Sequence, residues 1–171
     1  MFKAGYVAVV GLPNAGKSSL VNALVGEKVA IISSKPQTTR DNILGIVNGE
    51  DYQIVLVDTP GVHHSKNALD KAMMKNVRSA VNGVDLILYL IDGTTSPSDE
   101  EKEYNEHFEI PTKIIKTKID LKNLKKFDCD LEVSSKTGEN IDKLKGLILE
   151  NLPSYEEEHY ILIKTIIPTK V

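Results

Sequence analysis

Val9-Val10-Gly11-Leu12-Pro13-Asn14-Ala15-Gly16-Lys17-Ser18-Ser19-Leu20 decides the fold. Within it, Gly11 to Ser18 satisfies the spacing G-x-x-x-x-G-K-[S/T] in full. The loop follows an apolar run, KAGYVAVV (3–10), which reads as a buried strand. It leads into SSLVNALV (18–25), where Leu20, Val21, Leu24 and Val25 recur at helical spacing and Gly26 closes the helix. Strand, glycine-rich loop and helix form the setting that gives this spacing its meaning. Glycines let the backbone curl until successive N–H groups face one phosphate, and the helix N-terminus adds its positive end. Lys17 is expected to reach the β- and γ-phosphates, and Ser18 to ligate Mg²⁺.

Working outward, NILGIVN and YQIVLVD within residues 42–57 read as two strands joined at Asn48-Gly49-Glu50-Asp51, a hairpin signal. DLILYLI (85–91) is a continuous apolar run, as in a central strand covered on both faces. PTKIIK (111–116) and residues 129–133 read as further strands. Helices are expected over 68–81, over the acidic stretch 98–107 (a solvated face) and over 140–152, and a basic turn or short helix over 121–127. This alternation predicts an α/β fold: a P-loop NTPase of three layers, with a mostly parallel six-stranded sheet flanked by helices. The domain is expected to span 1–152. Residues 153–171 read as a linker or the start of a truncated C-terminal region, with 161–171 a possible added edge strand.

The 171 residues suffice for one domain with a real core. A net charge of −3 argues against broad, sequence-independent nucleic-acid binding. The lone Cys129 forms no intrachain disulfide, and no Cys/His cluster offers a zinc site. The N-terminal apolar run lacks the form of a signal peptide, and no stretch reaches the ~18 apolar residues of a membrane span. A cytoplasmic location is expected.

Three further groups carry chemistry. Asp58-Thr59-Pro60-Gly61 follows the strand YQIVLVD; Asp58 there suits Mg²⁺ binding through water, and the Gly61 N–H suits the γ-phosphate. In Pro36-Gln37-Thr38-Thr39-Arg40-Asp41 a threonine can bind Mg²⁺ and sense the γ-phosphate, and the chemistry alone does not choose between Thr38 and Thr39. Thr117-Lys118-Ile119-Asp120 follows the strand PTKIIK. The Asp120 carboxylate can accept from guanine N1–H and its exocyclic amine, a donor pair that adenine lacks, while the Lys118 stem lies over the base. Ser134-Ser135-Lys136 follows another strand end, where a backbone N–H can meet guanine O6.

These boxes, in this order, resemble those of translation-factor-class GTPases over residues 3–152. PNAGKSSL, PQTTRD and DTPG look most like the Era family of ribosome-assembly GTPases; the tRNA-modification GTPase MnmE and the double GTPase Der carry similar boxes. The resemblance implies GTP and GDP as ligands, held by residues Asn14, Ala15, Gly16, Lys17, Ser18 and Ser19 with Asp58, Gly61, Thr117, Lys118, Asp120, Ser134, Ser135 and Lys136. It makes Thr39 the Mg²⁺ threonine alongside Ser18 and Asp58. Switch segments are then expected near 33–41 and 59–75. It further implies binding to the small ribosomal subunit and its 16S rRNA, and peripheral association with the membrane.

Many GTPases place a Gln after D-x-x-G to orient water; here that position is Val62. The resemblance therefore implies a slow GTPase in which K⁺, held by Asn14, supplies charge near the phosphates. Asn14, Lys17, Thr39 and Gly61 form the expected catalytic set. His63 and His64 are expected to be solvated, and Arg40 to face solvent or RNA. The chain departs from the family in three places. Thr117 replaces the usual Asn, with a single hydroxyl expected to hold the loop less fully. The segment 98–133 is short. The 171 residues hold no KH segment with a GxxG loop, and contact of these residues alone with RNA is expected to be weakened. A nucleotide-binding module with little hydrolysis is the competing reading.

Overall fold

Phe2–Gly11 forms β1, buried along most of its length because Val7, Ala8, Val9 and Val10 present apolar surface to both sides. The protein is seen here as a computed structural model that describes residues 1–12, 14–26, 43–58, 83–97, 109–158 and 161. After β1 come α1 (Lys17–Val25), β2 (Ile43–Asn48), β3 (Tyr52–Asp58), β4 (Leu86–Asp92), β5 (Thr112–Thr117), β6 (Leu131–Glu132), α2 (Ile141–Glu150) and β7 (Ser154–Tyr155).

The strands run in the order β2-β3-β1-β4-β5-β6, with β7 pairing on β1. β1 is parallel to β3 (Val9 opposite Asp58) and to β4 (Val9 opposite Leu88); β2 is antiparallel to β3. The hairpin closes where read, with Gly49 N–H donating to Tyr52 O at 2.9 Å. The chain moves out from β1 to β3 and returns across β1 to β4, β5 and β6. Such a reversal leaves a crevice beyond the C-terminal strand ends, where ligands of open α/β sheets bind.

Alternation divides the core into two faces. Val7, Val9, Ile54, Leu56, Leu86, Leu88 and Leu90 pack with Leu20 and Leu24 of α1 and Leu144 and Ile148 of α2. Ala8, Val10, Val55, Val57, Ile87, Tyr89 and Ile91 form the opposite cluster, with Ile110, Phe127 and Ile161 against it. Strands buried on both faces read as continuous apolar runs, as these do. The helices expected at 68–81 and 98–107 lie outside the described residues.

Two expectations are modified, and one open alternative is decided in favour of the turn. The sheet has seven strands among the described residues, not six, since β7 pairs antiparallel with Phe2 and Lys3. Residues 154–155 thus belong to the sheet rather than to a linker. Residues 121–127 form a turn without a helix: Leu121 N–H bonds to Lys118 O at 3.0 Å, Asn123 has φ 64°, and Lys125 N–H is taken by Gly93 O at 2.7 Å. The left-handed Asn123 and the loss of the Lys125 N–H to Gly93 O are incompatible with a continuous helical ladder.

Candidate functional site

At the end of β1 the chain turns tightly, with Ala15 N–H on Leu12 O at 3.1 Å. Asn14 (φ 70°) and Gly16 (φ 95°) are both left-handed. Asn tolerates that region and Gly occupies it freely, so the residue types suit the curl. Gly16 is the N-cap of α1 and gives it no side-chain cap, leaving first-turn N–H groups directed at the loop. That is the geometry of an anion-binding helix terminus. Ser18 and Ser19 are exposed on this first turn.

Lys17 Nζ lies 2.6 Å from Asp58 Oδ1, with the two side chains 18% and 25% exposed. The parallel register that sets Asp58 beside Val9 brings the end of β3 to the phosphate loop. The Ser18 hydroxyl and the Asp58 carboxylate are hard oxygen donors, which suits Mg²⁺ bound by few protein groups together with phosphate and water. No group of three or more His, Cys, Asp or Glu able to hold a metal occurs among the described residues. A Mg²⁺ site with one carboxylate does not need such a group.

β5 delivers the second loop. Thr117 is buried, and its Oγ1 donates to Ala15 O at 2.6 Å, with Ile91 O at 3.3 Å. Its single hydroxyl therefore ties the second loop to the phosphate loop. Lys118 is left-handed at φ 61°, and its Nζ donates to Asn14 O and lies 3.0 Å from Asp92 Oδ2. A left-handed lysine backbone costs about 1–3 kcal/mol, and such residues collect at ligand sites. Two consecutive carbonyls of the phosphate loop, Asn14 and Ala15, are thus held by two consecutive residues of the other loop.

Asp120 is exposed, and its Oδ1 accepts from Ser134 Oγ at 2.8 Å. Ser134 is fully buried and its Oγ also accepts Thr137 N–H at 3.1 Å. A carboxylate fixed in this way can meet the two guanine donors without first being ordered. Ser134 N–H is taken by Glu139 O at 3.1 Å, so of the three expected backbone donors only those of Ser135 and Lys136 could meet a base oxygen. Thr38, Thr39, Arg40, Gly61, Val62, His63 and His64 lie outside the described residues.

Asp92 and Thr94 were not legible as site residues. Asp92 ends β4 beside both loops, and Thr94 N–H and Oγ1 donate to its Oδ1 at 2.8 and 2.7 Å. Burial works to raise its pKa, but the Thr94 hydroxyl, the Thr94 N–H and the Lys118 ammonium outweigh it, and the net shift is downward. The available signal was a carboxylate ending an apolar run, DLILYLID, at the same sheet edge as the other loops.

A glycine-rich loop at a helix start, a carboxylate at the next parallel strand and a fixed aspartate beyond β5 define the nucleotide-binding domain of a P-loop GTPase. The model of the 50S ribosome-binding GTPase family matches residues 6–118, and the chain belongs to that family. It is 38% identical to GTPase Era of Clostridium acetobutylicum over 96% of its own length and 62% of that protein. Among solved structures, it superposes on a variant of Aquifex aeolicus Era bound to GDP·AlF4⁻ with a TM-score of 0.67 and 33% identity, covering 98% of this chain and 63% of that one. An Era complex with MgGDPNP and nucleotides 1506–1542 of 16S ribosomal RNA gives 0.67 and 32%, covering 94% and 60%. The chain therefore spans less than two thirds of the length of these relatives.

Proposed function

We propose that this chain is the guanine-nucleotide switch domain of an Era-type GTPase. It binds GTP and GDP with Mg²⁺, hydrolyses GTP slowly, and couples that cycle to assembly of the small ribosomal subunit. The observation that carries the reading is Asp120, fixed by buried Ser134 on a loop that Thr117 and Lys118 bind to the phosphate loop. Base and phosphate recognition thereby share one rigid frame. The Era structure holding MgGDPNP and 16S rRNA supports the metal, the nucleotide and the RNA partner by likeness.

For catalysis, K⁺ held by Asn14 supplies the charge that Val62 cannot. Asn14 is exposed in a left-handed loop position and its carbonyl is anchored by Lys118, so its side-chain amide oxygen can turn to a cation over the phosphates. Among the described residues no helix is long and apolar enough to cross a membrane. Work in the cytoplasm, with peripheral membrane contact, completes the reading.

GTP hydrolysis in KCl against NaCl at equal ionic strength tests it. Faster turnover in KCl, lost in Asn14→Ala, is expected. Equal appreciable rates would reject the K⁺ role, and tight GTP binding with no turnover in either salt would favour a binding module. Asp120→Asn is expected to exchange guanine for xanthine preference; unchanged GTP affinity would reject the base site.

A further inference from the structure

Asp92 and Thr94 belong to none of the motifs that carry the proposed function. Asp92 nevertheless sits where the two nucleotide loops meet, and its two carboxylate oxygens have separate tasks. Oδ1 takes both donors of Thr94, at 2.8 and 2.7 Å. Oδ2 faces Lys118 Nζ at 3.0 Å, and the same ammonium reaches Asn14 O. An ordinary surface ion pair leaves two long side chains free to wander, and it is worth little. Here the anion is locked by a neighbouring hydroxyl and N–H, and its side chain is only 17% exposed against 33% for the lysine. A four-carbon ammonium stem is otherwise among the most mobile groups a binding site can use.

We propose that Asp92, locked by Thr94, is a positioning residue for guanine-nucleotide binding. It suspends the Lys118 ammonium between the end of β4 and the phosphate loop, so that the aliphatic stem is ordered before the base arrives. The inference rests on the guanine-nucleotide reading given above. Asp92 touches no ligand in this scheme; it acts through Lys118. Its loss frees the stem and loosens the hold on Asn14 O. Thr117 still ties Ala15 O, so the phosphate loop weakens rather than collapses. Asp120 keeps its Ser134 bond and hence its choice of base.

A double-mutant cycle on the whole chain, read by binding and dissociation of fluorescent GDP, tests this. Asp92→Asn is expected to raise the Kd about tenfold through faster dissociation, the scale of one charge-assisted hydrogen bond. Thr94→Val, of matching shape without the hydroxyl, is expected to weaken binding by a smaller factor, and Thr94→Ser to restore it. Guanine over xanthine preference is expected to stay unchanged in all of them. In a Lys118→Met background, Asp92→Asn is expected to add nothing. An equal loss in that background would make Asp92 a general structural support and overturn the inference. So would unaltered Kd and dissociation in both Asp92→Asn and Thr94→Val. Absence of GDP binding by the unmodified chain would overturn the functional reading and this inference together; binding by the unmodified chain with unaffected variants overturns the inference alone.

Discussion

At Thr117 one hydroxyl connects two loops that lie far apart in sequence. Its Oγ1 is buried against Ala15 O at 2.6 Å, so removing it strands a carbonyl away from water. Thr117→Val keeps the shape and is expected to cost about 1–3 kcal/mol in urea unfolding. GDP affinity should fall as well, because the phosphate loop loses an anchor. A stability unchanged within error would mean the bond is not made in solution. Cys129 gives a pH prediction. Burial raises its thiol pKa from 9.0, Glu132 and Asp130 add to the rise, and Lys116 opposes it. The folded state therefore favours the neutral thiol. Its contribution to stability is complete below pH 9.0 and is lost as pH rises through the higher folded value. Alkylation at pH 8 should accordingly be slower in the folded chain than in urea; equal rates would contradict the shift. At this scale, the positions with spacing rules were legible: Lys17 opens α1, Asp58 and Thr117 end β3 and β5, and Lys118 and Asp120 follow in the loop after β5. Asp92 was not, because its partner Lys118 is 26 positions away and no local pattern couples them.

Among the elements, α2 shows how few contacts specify a position. Leu144 is fully buried beside Ile141 and Ile148, and Lys3 Nζ from β1 caps the last turn at Leu149 O, 2.8 Å away. A cation at helix-terminal carbonyls both satisfies an acceptor and opposes the macrodipole. Leu144→Ala is expected to destabilise by about 2–5 kcal/mol, the range for emptying a core leucine site. A loss under 1 kcal/mol in denaturant titration would mean that the helix repacks. The helix was legible because its apolar residues recur every three or four positions, and the central strands because they are apolar throughout. The turn at 121–127 was ambiguous in sequence. What decides it is remote: Gly93 O takes Lys125 N–H, and Lys116 Nζ donates to Lys125 O while lying 4.8 Å from the Phe127 ring. Gly93 has no room for a side chain, since a Cβ would lie 2.7 Å from Thr117 O. β7 was invisible for a similar reason. Pro153-Ser154-Tyr155 has no apolar pattern, and what selects it is the edge of β1 at Phe2 and Lys3, which β4 leaves unpaired.

Among the described residues, the candidate ligand groups gather at one end of the sheet and β7 docks at the other. β1 separates them by on the order of 30 Å, at about 3.3 Å per strand residue. Cutting the chain after Leu152, at the boundary first expected for the domain, removes the pairing of Ser154 and Tyr155 with β1, the Ala4 N–H bond to Pro153 O, and the Ile161 N–H bond to Gln53 Oε1. Bonds of this kind contribute about 0.5–1.5 kcal/mol each, so calorimetry should show Tm falling by several degrees. GDP affinity should stay within about twofold, as distant sites add independently. A large affinity loss would mean that the two ends of β1 communicate.

The same arrangement determines how the fold bears mechanical load. Phe2 and Lys3 meet Tyr155 and Ser154 in an antiparallel pair, so tension drawn through both flanking segments opens that pair like a zipper, one bond at a time. β1 itself is gripped lengthwise, by β3 along Lys3–Val9 and by β4 along Val7–Gly11, and those bonds must shear together. A tethered molecule should therefore yield first at low force with the nucleotide loops intact, and only at a second, higher force should β1 slide and drag the phosphate loop off its ligand.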